Sequence, residues 1–293
     1  QVQSPRLRGG PMWPGGMALH RQGDLFVVYG RYLHRLSADC ELLASLQLPL
    51  NAPYNSFVIL DNGLIVTKNL SDKRAAQLSV LDPEGLQSVC ADVLCPEPSI
   101  ARLRAVGNTV YVVGVRSIFR LHWDEQAQTL ALDPHWRWDY IGTSAQSYGW
   151  DVVIADTDAW FLDNGESTHK FAGTLRGVGT ATAPLHLVRV DLASGRVSLT
   201  EICGLAGGVV ANPPLVDEQR KIVVGFDSGN GVLAGDISAR LVGASAVPLA
   251  VARTASGWEA VLVATEAGVY RVEASVVVGG VSEPVQGTRL NAC

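Results

Sequence analysis

The chain has 293 residues, of which 47% are hydrophobic and 17% charged, and its formal net charge is -5. This length and apolar content suit one large domain with a filled core rather than a disordered chain. No basic cluster is interleaved with aromatics and no apolar run approaches the roughly 20 residues of a membrane-spanning helix, so neither nucleic acid nor a membrane span is expected.

A turn followed by a strongly β-prone strand recurs six times along the chain. The copies begin at a Gly, Asn, Asp or charged residue and span residues 23–28, 62–66, 107–113, 158–162, 220–224 and 259–263. A strand that alternates apolar with polar residues follows most copies, at residues 33–36, 78–82, 119–124, 187–191 and 269–273. A short apolar run precedes several of them, at residues 57–60, 151–154 and 214–216. Alternation of this kind is typical of half-buried strands.

A fourth strand is predicted at residues 42–48, 86–94, 129–132 and 197–202. Four antiparallel strands in about 40 residues form one propeller blade. No segment shows the apolar stripe of a helix. The sequence therefore predicts an all-β fold, a β-propeller with most simply six blades and with five or seven left open, in a single domain over residues 1–293.

Two segments interrupt the repeat. Residues 164–184 form a loop insertion in the fourth blade, which is interpreted either as a lid or as a surface excursion without a role. After about residue 237 the chain becomes rich in Ala, Val, Gly and Ser, and the blade pattern weakens.

The five cysteines, Cys40, Cys90, Cys95, Cys203 and Cys293, include no zinc-type pair. Cys90 and Cys95 are close enough in sequence to close a small disulfide loop, and the alternative is that most of the cysteines are buried and inert. We expect a secreted or periplasmic monomer whose signal peptide is not present in this chain.

The innermost strands of a propeller line its central channel, and the loops that lead into them crowd one face. Four polar residues lie where such strands begin and could converge on one axis as oxygen ligands of calcium: Asn55, Glu97, Asp151 and Asn212. Four aromatics at the same level are candidates for ligand binding: Trp13, Tyr54, Tyr148 and Trp150. The alternative for Asn and Asp at these positions is that they end strands by bonding to local backbone.

Residues 212–232, from Asn212-Pro213-Pro214 to Asp227-Ser228-Gly229, resemble the repeat of the gluconolactonase and strictosidine-synthase-like propellers, and Gly9-Gly10-Pro11-Met12-Trp13 is faintly similar to their first blade. The resemblance implies a six-bladed propeller with a calcium site, in which Asn212 matches a ligand position. Pro213 and Pro214 replace the usual Gly and apolar residue. Gly9-Gly10 stands where the lactonases carry a metal-binding Glu, so Glu97 would have to supply that carboxylate.

The function predicted first is a calcium-assisted hydrolase of a lactone or ester at the central channel, with His20 or His169 as general base. The alternative is a non-catalytic propeller that binds a glycan, peptide or protein on one face, or another extracellular ligand. A quinoprotein-like oxidoreductase is a further alternative that rests on strand pattern alone. The sequence contains no Gly-x-Ser-x-Gly, His-Glu-x-x-His or phosphate-loop motif.

Overall fold

The structure is a computed structural model. It describes residues 7, 14–141, 149–163, 185–202, 214–216, 222–223, 236–242, 246–249, 251–254, 257–260, 271–278 and 281–284. Every regular element in these segments is a β-strand, so none of them contains a helix long and apolar enough to cross a membrane. The all-β prediction is confirmed.

Four successive sheets each contain four antiparallel strands, hydrogen-bonded in chain order. Blade 1 consists of β1 (Pro14–Leu19), β2 (Leu25–Tyr29), β3 (Tyr32–Leu36) and β4 (Leu42–Gln47). Blade 2 consists of β5 (Tyr54–Ile59), β6 (Ile65–Asn69), β7 (Gln77–Leu81) and β8 (Val93–Leu94). Blade 3 consists of β9 (Arg104–Val106), β10 (Thr109–Val113), β11 (Ser117–Asp124) and β12 (Thr129–Asp139). Blade 4 consists of β13 (Val153–Ala155), β14 (Asp158–Asp163), β15 (Leu185–Asp191) and β16 (Val197–Ile202). A four-stranded meander repeated in this way is the blade of a β-propeller.

The described strands after blade 4 are arranged differently. They are β17 (Leu215–Val216), β18 (Ile222–Val223), β19 (Asp236–Val242), β20 (Ala246–Leu249), β21 (Val251–Thr254), β22 (Gly257–Ala260), β23 (Arg271–Val278) and β24 (Val281–Pro284). One sheet has the order β20-β19-β23-β24, while β21 and β22 pair with each other. The sixth predicted copy begins in β22, which pairs with β21. The next described strand, β23, pairs with β19 and β24 and not with β22. In the described residues the sixth copy therefore does not form the predicted hairpin with the strand that follows it. The number of blades stays a prediction.

The chain divides into two compact units, residues 1–139 and 140–293. Unit 1 contains blades 1 to 3, and unit 2 contains blade 4 and the strands that follow it. The single domain over residues 1–293 stays a prediction, and the insertion at residues 164–184 lies outside the described residues.

Two apolar clusters hold the blades of unit 1 together. Successive side chains of a strand point to opposite faces of its sheet, so Ile65 and Val66 of β6 enter different clusters. Ile65 packs with blade 1 residues such as Phe26 and Val28. Val66 packs with blade 3 residues such as Val112. Blade 2 is thus covered on both faces.

The strand predictions hold well in unit 1, with two differences at fourth strands. The predicted strand at residues 86–94 is reduced to β8, because residues 82–87 form a tight connection around the Asp82 carboxylate. The strand predicted at residues 129–132 continues to Asp139.

The predicted disulfide between Cys90 and Cys95 is wrong, because both residues carry free thiols, as does Cys40. Burial raises the pKa of the Cys95 thiol to about 12, which fits the alternative of an inert, buried cysteine. Cys203 and Cys293 lie outside the described residues.

Candidate functional site

The blades of unit 1 have two distinct ends. The entry end is where the first strand of each blade begins, and it contains the connections at residues 30–31, 48–53, 70–76, 95–103 and 114–116. Backbone contacts join these connections: Tyr54 N–H donates to Gly30 O at 2.7 Å, and Ser71 bridges to Ser99. The turn end contains the connections at residues 20–24, 37–41, 60–64, 82–87, 107–108 and 125–128.

Asn55 lies at the entry end on a β-bulge. The register between β5 and β6 shifts between Tyr54 and Ser56, which leaves Asn55 as the extra residue. A bulge re-aims the side chain it carries. The Asn55 amide nitrogen donates to Ile100 O at 2.6 Å, in the segment that leads into blade 3.

Lys68, near the end of β6, is fully buried and is the partner of Asn55. Its Nζ donates to Asn55 Oδ1 at 3.2 Å, to Asn69 O at 3.1 Å and to Ser99 O at 3.0 Å. Lys68 is not among the site residues predicted from the sequence. The signal was present, because the period of two along β6 places Lys68 on the same buried face as Val66.

Glu97 forms a second buried polar group at the entry end. Its Oε1 accepts hydrogen bonds from the Ser117 backbone N–H at 2.9 Å and from the Ser117 hydroxyl. Arg137 Nη2 lies 3.9 Å from the same oxygen, and Arg137 Nε donates to Ser117 Oγ at 2.9 Å. A side chain at position 114 would overlap the Glu97 carboxyl, so Gly114 provides the space in which it sits.

The other carboxylate oxygen of Glu97, Oε2, is buried and has no hydrogen-bond partner among the described residues. Burial raises the pKa of Glu97, while the hydrogen bonds from Ser117 and the charge of Arg137 act in the opposite direction. Ser117 and Arg137 were also missed from the sequence, because they lie on the third and fourth strands of their blade, far from Glu97 along the chain.

Asn55 is poorly placed to act as a calcium ligand. Calcium takes six to eight oxygen ligands at about 2.3–2.6 Å. The Asn55 amide oxygen already accepts a hydrogen bond from the Lys68 ammonium, so a divalent cation there would lie beside a positive charge. The described residues contain no group of three His, Cys, Asp or Glu side chains placed to hold a metal.

The positions of Asp151 and Asn212, the other two predicted calcium ligands, do not test whether the four residues share one ion. Asp151 is buried in unit 2, just before β13. Asn212 lies outside the described residues. The convergence of Asn55, Glu97, Asp151 and Asn212 on one calcium ion stays a prediction.

The structure does not bring His20 to Asn55. His20 is buried at the turn end, where its Nε2 lies 3.1 Å from Gly63 O and its Nδ1 accepts from the Gln22 N–H at 3.2 Å. Asn55 is the second residue of β5 and Gly63 follows the far end of this strand, which corresponds to a separation of roughly 16 Å at the rise of a strand. His20 therefore links the turns of blades 1 and 2. His169 lies outside the described residues.

The predicted aromatic surface is only partly described, and Tyr54 is not on it. Tyr54 is fully buried, its hydroxyl accepts from the Leu50 N–H at 3.2 Å, and burial raises its pKa. A ligand would reach Tyr54 only if the core opened. Trp150 is half-buried, and its backbone N–H donates to Leu162 O at 2.7 Å. Trp13 and Tyr148 lie outside the described residues.

The two ends of unit 1 carry opposite charge. The entry end has the basic residues Arg31, Lys73, Arg74, Arg102, Arg116 and Arg137 and the acidic residues Asp72, Asp92, Glu97 and Asp139. The turn end has the basic residues Arg21 and Arg35 and the acidic residues Asp24, Asp39, Glu41, Asp61, Asp82, Glu84, Asp124 and Glu125.

Several carboxylates of the turn end are used by the fold. Asp82 accepts hydrogen bonds from the backbone N–H groups of Glu84, Gly85 and Gln87, and Asp124 accepts from those of Gln126 and Ala127. Asp and Asn often stabilise turns in this way. Turn formation thus accounts for two of the acidic residues of this end, Asp82 and Asp124.

Three exposed basic side chains at the entry end lie on neighbouring loops. Lys73 and Arg74 belong to the connection between β6 and β7, and Arg102 belongs to the segment that leads into β9. The backbone bridge between Ser71 and Ser99 holds these two loops side by side. We call Lys73, Arg74 and Arg102 the basic patch.

No protein-family model matches the chain, and no curated protein matches it. Among solved structures, the chain is similar to the Pan2 WD40 domain of Neurospora crassa, at 10% identity and a TM-score of 0.47, over 66% of this chain and 53% of that one. It is also similar to virginiamycin B lyase from Staphylococcus aureus, at 10% identity and a TM-score of 0.43, over 64% and 54% of the two chains. An auxiliary nutrient binding protein from Bacteroides thetaiotaomicron gives 13% identity and a TM-score of 0.43, over 70% and 54%.

The chain spans about half the length of each of these three structures. Similarity at this level carries no argument about what the chain binds or catalyses. The resemblance to gluconolactonase-type propellers stays a prediction, and the propeller assignment rests on the four meander blades.

Proposed function

We propose that this chain is a non-catalytic, ligand-binding propeller that holds an acidic peptide segment over the entry end of blades 2 and 3. The observation that carries the proposal is the basic patch, which stands at the end of the blades where propeller ligands usually lie. Guanidinium and ammonium groups recognise carboxylates through charge-assisted hydrogen bonds.

The basic patch favours a ligand that carries carboxylates, and an acidic peptide presents several of them in a row. Beneath the basic patch, the hydrogen bonds of Lys68 to Asn55 and Ser99 connect blade 2 to the loop that carries Arg102. The patch therefore has a rigid support, which reduces the ordering cost of binding.

Binding of a fluorescein-labelled peptide of Glu residues, followed by fluorescence anisotropy, tests the proposal. We expect the double variant Lys73→Gln/Arg74→Gln to lose about 2- to 30-fold in affinity, since each exposed ion pair contributes about 0.2–1 kcal/mol and about 1.4 kcal/mol is a factor of ten. The affinity of the unchanged protein should also fall as salt is raised, because exposed charges are screened.

The control is the double variant Gln22→Glu/Gln126→Glu, which makes the same change in net charge with exposed residues of the turn end. We expect it to bind the peptide as the unchanged protein does. Equal loss in both double variants, or equal binding of a peptide of Gln residues, would contradict the proposal.

The calcium-assisted hydrolase stays a prediction, and the contact between Asn55 and the Lys68 ammonium does not favour it. The quinoprotein-like oxidoreductase also stays a prediction, and no structural observation supports it. Location outside the cytoplasm and a monomeric state also stay predictions.

A further inference from the structure

We infer that the Lys68 ammonium group occupies the position beside Asn55 at which the sequence predicts a calcium ion. Blades 2 and 3 would then be joined at their entry end by a side chain and would need no metal ion there. This inference concerns the junction between blades and holds whether or not the proposed peptide binds.

Oxygen atoms from three parts of the chain surround Lys68 Nζ. The three acceptors come from three separate pieces of chain, namely β5 (Asn55), the end of β6 (Asn69) and the segment before β9 (Ser99). An ammonium group has three N–H donors, and each of these contacts uses one. The burial of the charge is thus accompanied by a full set of hydrogen bonds.

Asn55 is held in the orientation that suits Lys68. Its amide nitrogen donates to Ile100 O at 2.6 Å, which turns its oxygen toward the ammonium. The contacts of Nζ, at 3.0–3.2 Å, are hydrogen-bond distances. They are longer than the distances of about 2.3–2.6 Å at which calcium holds oxygen.

The Lys68 ammonium would also repel a second cation at this place. The three oxygens that receive hydrogen bonds from Lys68 belong to one side-chain amide and two backbone carbonyls. The ammonium group that they surround carries a positive charge. A divalent ion added beside it would meet direct repulsion at short range.

The test uses the full chain and measures the melting temperature and the bound metal. We expect the unchanged protein to purify without stoichiometric calcium and to keep its melting temperature in EDTA and in added calcium chloride. Lys68→Ala should melt at a lower temperature and regain part of the loss in n-propylammonium chloride, because this cation replaces the missing side-chain atoms. Tetramethylammonium chloride, which has no N–H donor, should not restore it.

Lys73→Ala is the matched control, since Lys73 is exposed while Lys68 is buried. We expect its melting temperature to stay unchanged and to respond equally to both ammonium salts. The melting temperature of the double variant Lys68→Ala/Asn55→Asp should rise when calcium is added. This variant removes the ammonium group and introduces a carboxylate that can bind calcium.

Stoichiometric calcium in the unchanged protein, together with a fall of its melting temperature in EDTA, would overturn the inference. So would an unchanged melting temperature in Lys68→Ala. If Lys68→Ala does not fold, the metal content and the EDTA response of the unchanged protein still decide between the two cations.

Discussion

The two junctions between the blades of unit 1 are built differently. Between blades 1 and 2 the packed core is apolar, with Phe26 of β2 in the same cluster as Phe57 and Ile65, and polar contacts join the connections at its two ends. Between blades 2 and 3 an apolar cluster is accompanied by the buried polar residues Lys68 and Glu97. Apolar burial is non-directional, whereas a satisfied buried polar network fixes one geometry. The comparison suggests that the first junction supplies stability and the second sets how the entry end is arranged.

The largest expected effect comes from the apolar junction. Phe26→Ala should lower the free energy of unfolding by about 3–5 kcal/mol, because it removes a fully buried aromatic ring and leaves a cavity. Urea denaturation followed by tryptophan fluorescence measures this loss. Tyr29→Ala, at a 40% exposed position of the same strand, is the control and should cost much less. Similar losses in both variants would mean that the junction does not depend on its packed core.

The stability contributed by the junction between blades 2 and 3 should depend on pH, because this junction contains the buried carboxyl group of Glu97. Burial raises the pKa of Glu97 above its ordinary value of 4.5, so the folded protein keeps this proton to a higher pH than the unfolded chain does. The contribution of Glu97 to stability is then fully present below the unfolded pKa and is lost as the pH rises through the folded pKa.

Glu97→Gln keeps an acceptor for Ser117 and does not ionise. The melting temperature of the unchanged protein minus that of Glu97→Gln should therefore decrease as the pH rises from about 4 to about 7. The same comparison with Glu41→Gln, an exposed carboxylate at the turn end, should show no such decrease. A constant difference for Glu97→Gln would show that burial does not control its ionisation.

The smallest expected effect is a gain at the apolar junction. Thr67 and Ser79 are directly paired across β6 and β7, and the hydroxyl groups of both are buried without a hydrogen-bond partner in the described structure. Thr67→Val with Ser79→Ala should raise the free energy of unfolding by about 1 kcal/mol, because two unsatisfied polar groups are removed. Urea denaturation is again the measurement. A clear loss of stability would instead indicate that a buried water bonds to these hydroxyls.

Much of unit 1 could be predicted from the sequence, because each blade is a local meander whose strands and turns are close along the chain. The period of two and the turn residues placed β2, β6 and β10 within a few residues of their observed bounds. The same reasoning placed Asn55 at the start of an inner strand, where the structure has it. Glu97 was predicted at the start of the inner strand of blade 3 but lies in the connection that precedes β9.

The partners of these residues could not be predicted, because they depend on contacts between blades. Lys68 is 13 residues from Asn55, and Ser117 is 20 residues from Glu97. The bulge at Asn55 also escaped notice, since no local motif marks it. The sheet order of residues 236–284 could not be read for a related reason. Strand β23 pairs with β19, about 35 residues earlier, across the hairpin of β21 and β22.

The turns at the acidic end interlock from blade to blade. Arg21 donates to Asp61 O and Asn62 O, while the backbone N–H groups of Asp61 and Asn62 donate to Gly107 O and to Asn108 Oδ1. If blade 2 opened alone, donors and acceptors on both of its neighbours would lose their partners at once. Nearest-neighbour coupling of this kind is what makes repeat arrays open in groups of repeats. Blades 1 to 3 should therefore fluctuate as one cooperative unit, in which local opening of a single blade is rare.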